Sequence, residues 1–69
     1  MQEFEIKDKE SIPLCDLLKS MGFCNSGGHA KTVIAEGLVK VDEKVELRKR
    51  CKIKKNQLVE YDGQTIKVI

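Results

Sequence analysis

The stretch PLCDLLKSMGFCNSGGHAKTVIAEG, residues 13–37, predicts two short helices joined by a turn. Its first half has apolar residues at the i, i+3, i+4 and i+7 positions of one helical face: Leu14, Leu17, Leu18 and Met21. Ser11 and Pro13 form a helix-start signal, because proline is tolerated in a first helical turn. Gly22 ends this helix, and in a left-handed conformation it would let Phe23 pack on Leu18 in a Schellman motif.

The second half of the stretch predicts a helix that begins after Ser26 and ends at Gly37. Serine is a favoured N-cap residue, since its hydroxyl oxygen accepts a hydrogen bond from a free N–H of the first turn. The apolar positions again share one stripe: Ala30, Val33, Ile34 and Leu38. Two such helices need a common apolar surface to cover.

Three segments outside the helices alternate apolar and polar residues, as strands with one buried face do. EFEI, residues 3–6, predicts a short strand, and LVKVDEKVEL, residues 38–47, predicts a hairpin around Asp42-Glu43. LVEYDGQTIKV, residues 58–68, predicts a second hairpin, because Asp-Gly favours a two-residue turn. The expected fold class is α+β, with two short helices packed on one face of a small antiparallel sheet.

The chain has 69 residues and a formal net charge of +2, but its basic residues are concentrated in one region. We expect a single domain over residues 1–69 that buries about 60% of its unfolded surface, which leaves little room for a deep enzyme pocket. Residues 29–55 carry nine basic and four acidic residues, and RKRCKIKK, residues 48–55, has six basic residues and no acidic one. This basic segment favours a polyanionic partner, although a solvated surface loop would have the same composition.

Three cysteines, Cys15, Cys24 and Cys51, are an odd number with no closely spaced pair. This pattern argues against a disulfide framework and favours reduced thiols. The three thiols and His29 would supply four zinc ligands, but the short Cys-x2-Cys spacing of zinc sites is absent. We therefore predict neither a metal site nor a cofactor.

Gly27 and Gly28 stand in the first turn of the second predicted helix, where each costs roughly 1 kcal/mol relative to alanine. One explanation is a phosphate-binding nest, because a helix N-terminus presents free N–H groups and glycines let an anion approach them. Ser26, His29 and Lys31 would then add a hydroxyl, a ring N–H and a charge. The alternative is that the two glycines only ease the bend between the helices.

The segment PLCDLLKSMGFCNSGGHAKTVIAEGLVKVDEKVELRKRCKI resembles the S4 RNA-binding domain, a family named for a ribosomal small-subunit protein. The resemblance covers about residues 13–59. Within that family the sequence is most similar to the stand-alone bacterial YbcJ-like members, which are single small domains without an attached enzyme. The matching positions are Leu14, Asp16, Leu17, Leu18, Gly22, Ser26, Ala30, Ile34, Gly37, Val39, Val41 and Val45.

The resemblance implies the alpha-L RNA-binding motif and the binding of structured RNA by the two-helix face and the adjoining strand loops. Three positions depart from the family's pattern. Gly27 replaces a common arginine, so that phosphate contact would have to come from backbone amides or elsewhere. Asp42-Glu43 replaces Asn-Gly, and Glu43 would need a positive φ if the turn is of type I′. Asn56 replaces a glycine, whose left-handed conformation asparagine tolerates.

We expect phosphate, sugar and shape contacts rather than stacked bases, because the chain has only two phenylalanines and one tyrosine, with apolar neighbours typical of a core. Phosphate contacts are assigned to the basic segment, with Lys54 and Lys55 at its rim. Strand alternation would place Arg48 and Lys49 on opposite faces. The complete candidate RNA site is Ser26, Gly27, Gly28, His29, Lys31, Arg48, Lys49, Arg50 and Lys52.

Two other binding functions fit parts of the sequence. Helix-turn-helix DNA-binding proteins also have two short helices, but Gly27 and Gly28 have no side chains with which to read bases. A protein-interaction module would dock a ribosomal or RNA-processing factor through an exposed strand edge.

We expect no enzyme, because His29 has no matched nucleophile or carboxylate. We expect a cytoplasmic monomer without a membrane partner, whose ligand is a ribosomal or transfer-like RNA.

Overall fold

The computed structural model describes residues 1–7 and 9–69. In these residues two helices and seven short strands follow one another along the chain. The strands are β1 (Gln2–Phe4), β2 (Ile12–Pro13), β3 (Val39–Val41), β4 (Lys44–Val45), β5 (Lys52–Ile53), β6 (Leu58–Tyr61) and β7 (Gln64–Val68), and the helices are α1 (Leu14–Ser20) and α2 (Gly27–Ala35). The predicted α+β class is confirmed.

Five strands form one sheet in the order β1-β7-β6-β3-β4, and β2 pairs with β5 in a separate two-stranded sheet. The prediction of an antiparallel sheet is wrong at one edge, where β1 runs parallel to β7. Hairpin turns fix the antiparallel pairing of β3 with β4 and of β6 with β7, but β1 and β7 lie far apart in the chain and no turn dictates their direction. The strand predicted at residues 3–6 lies at residues 2–4 instead. Ile6 is buried, but it lies beyond the end of β1.

The two helices begin in different ways. Pro13 is the N-cap residue of α1 and no side chain caps that helix. The helix therefore begins at Leu14, just after the proline that was expected in its first turn, and Ser11 does not cap it. Ser26 is the N-cap residue of α2, and its Oγ accepts a hydrogen bond from the backbone N–H of His29 at 3.1 Å. The predicted serine cap is therefore confirmed.

Both helices end in the Schellman geometry that glycine permits. At the end of α1, Gly22 has a φ of +78°, and the N–H of Phe23 donates to the carbonyl of Leu18 at 3.0 Å. Gly37 ends α2 with the same φ of +78°. Both predicted stops are confirmed. Leu38 follows the stop and is 53% exposed, so its predicted place on the apolar stripe of α2 is wrong.

Both predicted hairpins have two-residue turns in which both residues have positive φ, as type I′ turns require. Asp42 and Glu43 have φ values of 51° and 70°, and Asp62 and Gly63 have values of 53° and 75°. Glu43 thus adopts the left-handed region that glycine favours. The hairpin predicted around Asp42-Glu43 has a type I′ turn despite this sequence.

Asp42 also ties the β3–β4 turn to the start of β6. Its carboxylate accepts hydrogen bonds from the backbone N–H of Leu58 at 2.9 Å and from Nε2 of Gln57 at 3.0 Å. These bonds hold the pKa of Asp42 below its ordinary value, since they stabilise the ionised form. Asn56, just before this contact, has a φ of 74°, which confirms the predicted left-handed position.

One hydrophobic core joins the helices to both sheets. The small β2–β5 sheet contributes Ile12 and Ile53, and no polar or charged side chain of the described residues is buried. No helix in the described part of the chain is long and apolar enough to span a membrane. The largest fully buried side chains are those of Leu14, Leu17, Leu18, Ile34, Val39, Ile53, Val59, Ile66 and Val68.

Candidate nucleic-acid interface

Residues 48–51 of the basic segment form a turn, here called the basic turn, that closes the N-terminus of α1. The backbone N–H of Leu14 donates to the carbonyl of Cys51 at 2.8 Å, and that of Cys15 donates to the carbonyl of Lys49 at 3.1 Å. These are the first two N–H groups of the helix, which need acceptors from outside it. The main chain of the basic turn supplies them, and its cationic side chains remain in solvent.

Glu46 holds Arg48 at the start of the basic turn. Its carboxylate accepts three hydrogen bonds from Arg48, from the backbone N–H, Nε and Nη2, each at 3.0 Å. The Glu46 side chain is 18% exposed, whereas that of Arg48 is 77% exposed. The hydrogen bonds from Arg48 lower the pKa of Glu46 to about 2. The N–H of Cys51 donates to the carbonyl of Arg48 at 3.2 Å and closes the turn.

The cationic side chains of the basic turn, Arg48, Lys49 and Arg50, are all exposed. The expected separation of Arg48 from Lys49 assumed an extended strand, and this part of the chain is a turn instead. Strand alternation begins at β5, where exposed Lys52 is followed by buried Ile53.

An open groove lies between the β3–β4 hairpin and the basic segment, and we call it the hairpin groove. Asp42 and Glu46 also line it, but both carboxylates already accept hydrogen bonds from the protein. A shallow depression that contains Arg50 adjoins it and shares part of its lining. The groove is therefore positively charged, with cations from both of its walls: Lys44, Arg48, Lys52, Lys54 and Lys55.

The N-terminus of α2 is open, in contrast to that of α1. A Cβ added at Gly27 would have no neighbour within 4 Å, and one at Gly28 would meet only Oγ of Ser26 at 3.8 Å. Neither glycine has a positive φ, so the bend between the helices does not require glycine at these positions. Nδ1 of His29 accepts a hydrogen bond from the backbone N–H of Asn25 at 3.4 Å, which leaves Nε2 to carry the ring N–H.

The candidate site residues fall into two groups. The hairpin groove and its neighbouring depression take in Arg48, Arg50 and Lys52, and none of their lining comes from α2. Lys49 belongs with this first group through the basic turn, where it is exposed, but it lines neither the groove nor the depression. Two residues missed by the sequence analysis, Lys44 and Glu46, line the groove. The hairpin pattern placed Lys44 directly after the turn, and the Glu-x-Arg spacing would have indicated the pair with Arg48. The group on α2 is Ser26, Gly27, Gly28, His29 and Lys31.

The three cysteines are free thiols, with Cys15 and Cys24 buried and Cys51 half-buried. Burial raises the pKa of the thiols of Cys24 and Cys51, so both favour the neutral form. No group of three or more histidine, cysteine or acidic side chains in residues 1–7 and 9–69 is arranged to hold a metal ion.

The fold and this basic surface define the class of protein. The family model for the S4 domain matches residues 4–69, and the chain belongs to that family. It is 48% identical over 69 residues to YbcJ of Escherichia coli (strain K12), whose name provisionally calls it an RNA-binding protein. That alignment covers 100% of this chain and 99% of YbcJ, and YbcJ of Shigella flexneri matches to the same extent.

The solved solution structure of E. coli YbcJ superimposes with a TM-score of 0.78 and covers 100% of this chain and 87% of that one. It is described as revealing an alpha-L motif involved in RNA binding. The resemblance inferred from the residues of the two-helix stretch and the first hairpin is confirmed, and so is the alpha-L architecture.

Proposed function

We propose that this protein binds structured RNA through phosphate and shape contacts. The observation that carries the proposal is the exposed cationic surface formed by the basic turn and the hairpin groove, which has no aromatic platform beside it. Phe4, Phe23 and Tyr61 are half-buried and pack against the core. Proteins that bind single strands stack bases on exposed aromatic rings, whereas double-stranded RNA is recognised mainly by shape, sugar and phosphate.

The phosphate contacts are assigned to Arg48, Lys49, Arg50 and Lys52, and the groove adds Lys44, Lys54 and Lys55. The N-terminus of α2 is proposed as a second phosphate contact. There the N–H groups of Gly27 and Gly28 have no hydrogen-bond acceptor among the described residues, and no side chain blocks their approach. Lys31 and the ring N–H of His29 would support this contact.

A competition titration tests the proposal. The probe is a labelled RNA hairpin, and the competitors are an unlabelled hairpin, a single-stranded RNA of the same length and a DNA duplex. The proposal expects the hairpin RNA to compete best, over a series of salt concentrations. Better competition by the single strand would overturn the proposed preference for structure, and better competition by the DNA duplex would favour a helix-turn-helix function instead.

The same proposal makes the protein a binding module rather than an enzyme, acting in the cytoplasm. Membership of the S4 family supports this, as does a site made of cations and backbone amides without a paired nucleophile and base. Ribosomal and transfer-like RNAs are the proposed partners. Crosslinking in cells followed by sequencing of the bound RNA would identify which of them is bound.

A protein contact is a second candidate function, because two apolar side chains are exposed at one sheet edge. Val45 and Leu47 are 53% and 58% exposed. Val45 and Leu47 approach within 4 Å of a Cβ built at Gly37, and β4 is the edge strand of the five-stranded sheet. Binding of a ribosomal or RNA-processing protein that persists at high salt and is lost in Val45→Lys would support this candidate.

A further inference from the structure

Resting on the RNA-binding function proposed above, we propose that Glu46 is a positioning residue of the RNA-binding surface. Its carboxylate fixes Arg48 and the basic turn in one conformation, so that an acidic residue strengthens the binding of a polyanion. From charge alone, Glu46 would be expected to weaken RNA binding, because a carboxylate in the hairpin groove repels phosphate.

The hydrogen bonds of Glu46 act on both the main chain and the side chain of Arg48. The bond from the backbone N–H fixes the chain at the start of the basic turn, and the bonds from Nε and Nη2 fix the guanidinium plane. An exposed ion pair usually contributes little, since two mobile side chains must be ordered to form it. Here a half-buried carboxylate accepts three hydrogen bonds from one residue. The two bonds from the guanidinium have the bidentate geometry that fixes its orientation.

The order imposed on Arg48 is passed on to α1 through hydrogen bonds. The carbonyl of Arg48 accepts from the N–H of Cys51, and the carbonyl of Cys51 accepts from the N–H of Leu14, the first residue of the helix. The carbonyl of Lys49 accepts from the N–H of Cys15. Glu46 therefore stands at one end of a continuous chain of bonds that places the basic turn against the core.

Arg48 still has hydrogen-bond donors available for RNA while it is bound to Glu46. Its Nε and Nη2 donate to Glu46, but Nη1 has no hydrogen-bond partner in the described part of the chain, and the side chain is 77% exposed. Nη1 carries two N–H groups that would donate to a phosphate. A side chain already ordered loses less conformational freedom on binding, which is the advantage of preorganisation.

The first test compares Glu46→Gln with Glu43→Gln, since both remove one negative charge from the same hairpin. Glu43 is exposed and its side chain makes no hydrogen bond to another described residue. We expect Glu43→Gln to leave the affinity for the RNA hairpin unchanged or slightly higher. We expect Glu46→Gln to weaken it by about three- to tenfold, where tenfold corresponds to about 1.4 kcal/mol. If Glu46→Gln tightens binding as Glu43→Gln does, the positioning role is wrong.

Two further variants separate charge from position. Glu46→Asp keeps the charge but shortens the side chain, so it is expected to weaken binding by a smaller factor than Glu46→Gln. In an Arg48→Gln background, Glu46→Gln should have a much smaller effect, because only the bond to the backbone N–H of that position is then left for Glu46 to make. An undiminished effect of Glu46→Gln in that background would contradict the assignment.

The second test does not depend on RNA. Amide hydrogen exchange of Leu14 and Cys15 reports whether the basic turn remains docked on α1. We expect Glu46→Gln to accelerate exchange at these two amides by about tenfold while the buried amides of α2 and the thermal midpoint change little. Unchanged exchange overturns the proposal even if the wild-type protein binds RNA. Accelerated exchange in a protein that binds no RNA would overturn the proposed function and the RNA-binding role of Glu46 with it.

Discussion

The two helices differ in whether the free N–H groups of their first turns find acceptors within the protein. At α1 the first two N–H groups donate to carbonyls of the basic turn, and the residues around them are buried. At α2 only the N–H of His29 is satisfied by a side chain, that of Ser26, and the N–H groups of Gly27 and Gly28 have no acceptor among the described residues. Both helix ends carry the same partial positive charge.

The difference separates two ways of presenting positive charge to a phosphate. At α1 the backbone is used internally, and the cations are side chains that project from the turn which closes the helix. At α2 the backbone itself is exposed, and glycine keeps side chains away from it. Side-chain cations release counterions when a phosphate is bound, whereas amides release few, so salt dependence distinguishes the two regions.

The largest expected contrast lies in amide hydrogen exchange of the wild-type protein. The N–H groups of Leu14 and Cys15 are hydrogen-bonded and buried, so we expect their protection factors to exceed those of Gly27 and Gly28 by at least about 100-fold. Two-dimensional NMR after transfer to deuterated water measures all four amides together. Equal protection at the two helix ends would contradict an open N-terminus at α2.

Charge reversal in the basic turn is expected to have the next largest effect. Lys49→Glu with Arg50→Glu should reduce affinity for the RNA hairpin by about tenfold or more and lower the log–log salt slope by roughly one unit for each phosphate that the protein no longer neutralises. Arg48 is left unchanged here because its reversal would place two carboxylates together at Glu46. Lys19→Glu, at the opposite end of α1, is a control for a single charge reversal away from the basic turn and should change affinity much less than either reversal made alone. If Lys49→Glu with Arg50→Glu leaves both affinity and slope unchanged, the basic turn is not the RNA surface.

Gly28→Val tests the open helix end and is expected to have a smaller effect. The structure has room for the new Cβ, and valine is a better helix former than glycine, so stability should not fall. We expect a severalfold loss of RNA affinity with an unchanged salt slope, because the valine blocks anions from the amides. Ala35→Val, at the exposed C-terminal end of the same helix, is the matched control. Parent-like binding by Gly28→Val would mean that the glycines do not contact phosphate.

Much of the fold could be predicted because it depends on local sequence. Helix stripes, the stops at Gly22 and Gly37 and the Asp62-Gly63 turn are each determined by residues close together in the chain. The parallel β1–β7 pair and the small β2–β5 sheet join distant segments, and no local pattern sets their direction or partner. The same reason explains why the sequence did not predict the basic turn as the cap of α1.

The candidate site was predictable in composition but not in arrangement. The six basic residues at 48–55 are evident in the sequence, yet local sequence suggested an extended strand where the chain turns back on α1. Lys44 joins the groove only because the β3–β4 hairpin folds beside the basic segment. Glu46 was not predicted because an acidic residue is not expected to serve a polyanion-binding surface.

The smallest expected effect is an acid response confined to α1. The pKa of Glu46 is lowered from 4.5 to about 2, so the ionised carboxylate stabilises the folded protein above about pH 4.5. That stabilisation is lost as the pH falls through about 2, when the carboxylate is protonated and releases Arg48. Because the pair lies at the surface, the change in unfolding free energy should be small and should decrease further in high salt.

An acid titration followed by NMR checks this response residue by residue. As the pH falls through about 2 the amide signals of Leu14 and Cys15 should shift as the basic turn loosens, while those of Gly27 and Gly28 should not follow the same titration. Glu46→Gln is the control, since it removes the titrating carboxylate and should abolish this component. If the component persists in Glu46→Gln, another group controls the turn. If Gly27 and Gly28 titrate together with Leu14, the two helix ends are coupled and the contrast between them is weaker than their hydrogen bonds indicate.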